Sequence, residues 1–173
     1  MQLRHKSLPK IDLEQDMGGL FRFGLQARPL LEDAWDNRTA YQGIKLKPDD
    51  VPSRGQCGVS SVWIARQLSR AGVRALFTEG KINLGNMAED HVWVEVHDII
   101  EEPLILDLTS DQYQHILGTS LHVGRYGHDM GIAYEPLEHF EPFAVPRKKL
   151  IGRYALLEQN IDQLTRPWWQ RFR

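Results

Sequence analysis

Arg54-Gly55-Gln56-Cys57-Gly58-Val59-Ser60-Ser61 opens the most regular apolar pattern in the chain. Val59, Val62, Ala65 and Leu68 recur every third residue, Ile64 and Ala71 extend the stripe, and Gly72 follows as a C-terminal cap. The spacing predicts a helix over 57–71 with Cys57 at its start. The first N–H groups of a helix have no internal partner and carry partial positive charge. A sulfur placed there has its reactive thiolate form stabilised. The same N–H groups are able to hold an oxyanion forming beside it. Gly55 and Gly58 leave room for a substrate backbone. The alternative reading of Cys57 is a buried cysteine that behaves as a small hydrophobe.

A thiolate enzyme also needs a base and a group to orient that base. His91-Val92-Trp93-Val94-Glu95-Val96 alternates strictly, which predicts a strand with the valines on one face and His91, Trp93 and Glu95 on the other. Leu104-Ile105-Leu106-Asp107-Leu108 reads as the neighbouring strand. Paired antiparallel, the two strands bring His91 and Asp107 side by side. Asp107 then holds the imidazole in the tautomer that accepts a proton from the thiol. The expected triad is Cys57, His91 and Asp107, on helix, strand and strand.

Outward from this centre the pattern thins. Ala27 to Trp35 reads as a short helix with Pro29 in its first turn. Residues 36–54 read as a loop, and Ser110 or Asp111 is placed to cap a short helix running to Leu117. Gly118 to Pro146 is expected to hold one or two strands, one of them around Ala133-Tyr134. Residues 148–164 carry an apolar seam of Leu150, Tyr154, Leu157, Ile161 and Leu164, which predicts a closing helix. Helices, then strands, then a helix favour an α+β fold. The expected organisation is a weakly ordered arm over 1–24, one domain over 25–165, and a basic tail over 166–173.

With 173 residues, 42% hydrophobic and 25% charged, the chain is long and apolar enough for one core, and unlike a disordered, collagen-like or coiled-coil sequence. One cysteine excludes an intramolecular disulfide. No secretory signal or membrane-length apolar run is evident, so a cytoplasmic setting is expected. The net charge of −2 hides an asymmetry. Ile82 to Gly124 has no Lys or Arg, whereas Arg147, Lys148, Lys149, Arg153, Arg166, Arg171 and Arg173 gather at the C-terminal end. The acidic stretch suggests a cationic substrate and argues against nucleic acid. The Trp168-Trp169-Gln170-Arg171-Phe172-Arg173 tail is expected to pack back on the domain; a membrane surface or an acidic partner is the other reading. His122, His128 and Asp129 match no strong metal motif, and no metal or cofactor is expected.

Cys on a helix start, then His and Asp on successive strands, resembles the papain-like and transglutaminase-like thiol enzymes. The resemblance is nearest to the small bacterial YunG-like group. It rests on Leu31-Glu32-Asp33-Ala34-Trp35, Gly55-Gln56-Cys57-Gly58-Val59, His91-Val92-Trp93 and Asp107-Leu108-Thr109-Ser110-Asp111-Gln112-Tyr113, about half the chain. It implies an α+β papain-like or transglutaminase-like fold, with the Cys helix packed on a small antiparallel sheet bearing His and Asp. It also implies thiol acyl chemistry on a carboxamide of a peptide, protein or small molecule: hydrolysis or deamidation with water, acyl transfer with an amine. A non-catalytic binding domain of the same fold is the remaining alternative. By the same resemblance Gln56 stands beside the nucleophile as an oxyanion donor, and the Gly58 position supports it. Trp93 shields the triad or packs in the core, and Thr109, Gln112 and Tyr113 brace Asp107 or line the cleft. Loops at Phe77–Asp90 and Gly118–Pro146 are expected to shape the pocket.

Overall fold

The first helix begins earlier than its apolar spacing around Trp35 suggests. In the computed structural model, which describes residues 7–9, 16–42, 44, 47–113, 119–127 and 132–167, α1 spans Met17–Ala34. The Asp16 carboxylate caps it, accepting from the Gly19 N–H at 2.6 Å. Leu20, Phe23, Ala27, Leu30, Leu31 and Ala34 form its buried stripe. Residues 17–24 of the stretch expected as a weakly ordered arm are thus the first part of a helix. The glycines at 18, 19 and 24 disguise it, although Gly24 is where Leu121 packs closest. Pro29 is inside the helix rather than in its first turn. It lies on the exposed side, as does Leu25, whose carbonyl loses its intrahelical donor.

The helix bearing Cys57 forms as its spacing predicts: α2 spans Cys57–Arg70, and Gly72 follows at φ 82°. Five strands follow: β1 (Ala75–Leu84), β2 (Met87–Val96), β3 (Leu104–Asp107), β4 (His122–Arg125) and β5 (Ile132–Phe140). A 3-10 turn, Ser110–Tyr113, separates β3 from β4, and α3 (Lys148–Thr165) closes the chain. The strands make one sheet in the order β4-β3-β2-β1-β5, antiparallel throughout. Among the described residues the fold is α+β, with three helices and a five-stranded antiparallel sheet. No helix among the described residues is long and apolar enough to cross a membrane.

The helices cover one face of the sheet. Val94 and Val96 of β2, Leu104 and Leu106 of β3, and Ala75 and Phe77 of β1 join the buried stripes of α1, α2 and α3 in the main core. The seam of α3 buries Leu150, Tyr154, Leu157 and Ile161. The opposite face carries a smaller apolar cluster of Ile82, Trp93, Ile105, Tyr113 and Tyr134. The alternation expected for β2 therefore holds, with Trp93 and the valines on opposite faces.

The segment Phe77–Asp90 is a correction. It is a hairpin rather than a loop, β1 and β2 continuing to the two-residue turn Gly85-Asn86 with Gly85 at φ 63°, although its Glu79, Gly80 and Asp90 do line a cleft. Its strand character is hard to read because Met87 to Asp90 are exposed on both faces, so no apolar alternation marks them. At Gly80 the pairing of β1 with β5 shifts register, and a β-carbon there would lie 2.2 Å from the Glu135 carbonyl oxygen and 2.5 Å from the Trp93 ring. Gly80→Val is expected to destabilise the fold by at least ~1–3 kcal/mol, read from urea denaturation. An unchanged midpoint would mean that β5 parts from β1 freely.

Candidate active site

Cys57 is the first residue of α2, half-buried, and no side chain caps that helix end. Its first-turn N–H groups are therefore left for whatever lies beside the sulfur. The approach to the helix is a tight turn. Tyr41 N–H donates to the Gly55 carbonyl at 2.8 Å, Gln56 N–H donates to the Ser53 carbonyl at 2.8 Å, and Gly55 sits at φ 72°. A side chain at 55 would meet the Tyr41 backbone, so only glycine fits this turn. One turn into α2, Ser61 Oγ donates to the Val92 carbonyl at 3.3 Å. That bond holds the start of α2 level with His91.

His91 is buried on the face of the sheet opposite the main core. The pairing Val94↔Leu106 sets Asp107 on that same face, and His91 Nε2 donates to Asp107 Oδ2 at 2.8 Å. With Nε2 so occupied, Nδ1 is the nitrogen left for the sulfur, and Cys57 stands close enough to act on the charge of the imidazole. The Tyr113 hydroxyl lies 3.3 Å from Nδ1. Asp107 is saturated: Oδ1 accepts from the Thr109 N–H and hydroxyl, each at 2.8 Å, and Oδ2 accepts also from the Tyr134 hydroxyl at 3.0 Å. The structure thus brings Cys57, His91 and Asp107 together.

Burial opposes a charge on His91, but the Asp107 carboxylate, helped by Cys57, outweighs it and raises the imidazole well above its usual range. Burial likewise opposes a charge on Asp107, yet His91 and then the Thr109 donors hold its carboxyl below the usual range. The stability effect of each shift has a definite sign. The raised His91 contributes fully below its ordinary 6.5 and loses its contribution as pH rises through the raised value. The lowered Asp107 contributes above its ordinary 3.8 and loses its contribution as pH falls through the lowered value. Thermal melts should therefore show His91→Gln most destabilised relative to wild type between about pH 4 and 6.5, with the gap closing at alkaline pH. A gap that widens from pH 7 to 9 would contradict the ion pair.

Trp93 packs in the smaller apolar cluster beside the His91 imidazole. It is fully buried, its ring stacks on His91 with centroids 6.4 Å apart, and it meets Tyr134 edge-on at 5.1 Å. Its Nε1–H donates to the Tyr126 hydroxyl at 2.9 Å, and that hydroxyl donates to Glu95 at 2.6 Å. Thr109 braces Asp107 as expected, and Gln112 lines the cleft while its Oε1 accepts from the Gly55 N–H at 3.4 Å.

Gln56 is placed differently from the expectation. Its Nε2 donates to the Asp36 carbonyl at 3.1 Å, and it does not line the cleft among the described residues. Adjacent positions at a helix start point in different directions, so the side chain next to Cys57 is carried away from the sulfur. Gln112 is the amide on the cleft side, and its Nε2 is buried without a hydrogen-bond partner. Gly58 serves packing as well as access, since a β-carbon there would lie 2.9 Å from Leu150 of α3. Asp111 lies in the 3-10 turn with Arg28 and Ser53 bound to its carboxylate, and the rest of the helix expected as far as Leu117 lies outside the described residues.

Arg28 is the residue that sequence reading missed. Buried on α1, it grips Asp111 with two parallel bonds of 2.9 and 2.6 Å. It also donates to the Leu108 carbonyl and to the Ser120 carbonyl, the latter at 3.1 Å. Its guanidinium stacks 4.7 Å from the Trp35 ring. Through Asp111 and Ser53 this cluster joins α1, the turn before Cys57 and the segment after Asp107. Its only sequence signal is a charged residue inside the apolar stripe of α1. Tyr134 was legible as a strand residue but not as a partner of Asp107.

Cys57, His91 and Gln112 line a cleft of about 750 Å³ together with Gly80, Leu137 and Leu150. His122 of the set-aside metal group lies on β4, stacked 5.2 Å from Tyr134. His128, Asp129 and the tail from Trp168 lie outside the described residues. Comparison with family models, with curated proteins and with solved structures finds no match to the chain.

Proposed function

We propose that the chain is a cysteine hydrolase of the papain-like or transglutaminase-like kind, cleaving a carboxamide through an acyl-thioester on Cys57. The observation that carries the reading is the buried His91–Asp107 pair in a cleft that the chain's one thiol also lines, close enough to act on the charge of the imidazole. Cys57 sulfur attacks the carbonyl carbon, and the oxygen takes up negative charge near the free N–H groups of α2. The C–N bond breaks as His91 gives its proton to the departing amine. Water then attacks the thioester carbon, His91 takes a proton from it, and Cys57 leaves as the thiolate. Asp107 holds the imidazole in place and supports its charge throughout. An amine entering in place of water gives the transferase outcome from the same intermediate.

The test uses p-nitrophenyl acetate as acyl donor and intact mass spectrometry as readout. Wild type is expected to gain one acetyl group on Cys57 with release of nitrophenolate, and Cys57→Ala none. A second measurement isolates His91. Alkylation by iodoacetamide at pH 6 is expected to be at least about tenfold slower in His91→Ala, because thiolate is the reacting form. Equal rates, together with no acetyl adduct, would refute the reading.

A further inference from the structure

Three basic residues of α3 and the segment before it, Arg147, Lys149 and Arg153, line the cleft beside Cys57, and they differ in what neutralises them. Arg147 is held by Glu79 at 2.8 Å and by Glu138 at 3.1 Å. Lys149 is exposed to solvent. Arg153 is half-buried, and no carboxylate among the described residues pairs with it. One N–H donates to the Thr39 carbonyl at 3.2 Å, and the guanidinium lies 5.5 Å from the Tyr41 ring centroid. Its Nε is buried with no hydrogen-bond partner.

A guanidinium presents five donors in a flat fork suited to a carboxylate, and a buried one left unpaired is costly. Arg28 shows the usual solution in this chain, a carboxylate gripped with two bonds. Arg153 lacks that partner and faces the cleft, close enough to Cys57 for the sulfur's charge to support its own. We propose that Arg153 binds a carboxylate of the substrate, so that the cleft takes small amides whose acyl part carries a free carboxylate near the reactive carbonyl. The inference rests on the thiol reading above and supplies its substrate class.

It also reverses the charge expected from the acidic stretch. Of that stretch's carboxylates, Asp90 is the one that lines the cleft among the described residues, and the other lining acids, Glu79 and Glu138, are bound by Arg147. Arg153 and Lys149 line the cleft with no carboxylate partner among the described residues, and Asp90 is the one lining acid that no cation there holds.

The test compares two alkylating agents of nearly equal size on the full chain at pH 7: iodoacetate, which carries a carboxylate, and iodoacetamide, which does not. Wild type is expected to favour iodoacetate about tenfold more than glutathione does, with a rate that saturates as iodoacetate rises. Arg153→Gln is expected to bring the ratio down to that of glutathione, and Arg153→Lys to retain part of it. A wild-type ratio equal to glutathione's, without saturation, overturns the proposal and needs no variant. So does an equal fall in both rates in Arg153→Gln, which would make Arg153 a support for the sulfur alone. The ratio reads the carboxylate anchor, whereas acetyl transfer from p-nitrophenyl acetate reads the nucleophile, so the two failures are distinguishable.

Discussion

Asn in place of Asp107 is expected to slow acetylation of Cys57 by about two to four orders of magnitude. The reason lies in how the two carboxylate oxygens are used. Oδ1 faces the Thr109 backbone N–H, which is always a donor, so the Asn carbonyl oxygen stays on that side. The Asn NH2 is then turned toward His91 Nε2 and the Tyr134 hydroxyl, where two donors were accepted before. To avoid donor against donor, Nε2 gives up its hydrogen and Nδ1 takes it, which is the tautomer unable to accept a proton from Cys57. The substitution also removes the negative charge that raises the imidazole, so His91 charges only at lower pH. Both effects act in the same direction at neutral pH. The measurement is single-turnover release of nitrophenolate against pH. A loss smaller than about fivefold would show that the Tyr113 hydroxyl, 3.3 Å from Nδ1, holds the tautomer without Asp107.

Arg28→Met is expected to destabilise the fold by about 3–5 kcal/mol, because it leaves the Asp111 carboxylate buried and unpaired. For a chain of this length that corresponds to a fall in melting temperature on the order of 10 °C. Asp111→Leu alone should cost less, because Glu32 at 3.4 Å still faces the guanidinium. The double variant Arg28→Met with Asp111→Leu should be less damaging than the sum of the two, because no lone charge remains. It will not reach wild type, since the Leu108 and Ser120 carbonyls and the Ser53 hydroxyl also lose partners. Additive single effects in chemical denaturation would mean that the pair does not act as a unit. Cys57 alkylation is a second readout, since the same cluster positions both the turn before Cys57 and the segment after Asp107.

The pattern of what was legible follows from the range of the forces involved. Helix α2 and strand β2 show clearly because their apolar residues repeat at 3.6 or 2, and a repeat is a local property. The pairing of His91 with Asp107 was within reach for a related reason. Two short strands close in sequence pair antiparallel, and alternation then decides which side chains share a face. The outer hairpin was not within reach, because Met87 to Asp90 of β2 are exposed on both faces and leave no alternation, although Ile82 of β1 is buried opposite the helices. Residues 17–26 hid in glycine-rich sequence because close packing by Leu121, not helix propensity, favours the small residue at 24.

The amino-acid order by itself determined which pieces form and which side chains each piece presents: Cys57 at a helix start, His91 opposite the valines of β2, and the seam of α3. Only the tertiary structure decided the polar partners, namely Arg28 with Asp111, Tyr134 with Asp107, Gln56 with the Asp36 carbonyl and, among the described residues, Arg153 with no carboxylate. Burial along a helix or strand follows from a periodic pattern that neighbouring residues already contain. A buried polar group, by contrast, must recover the hydration it loses from whichever group the packed layers bring within 3 Å, and for Arg28 and Asp111 that partner is 83 residues away.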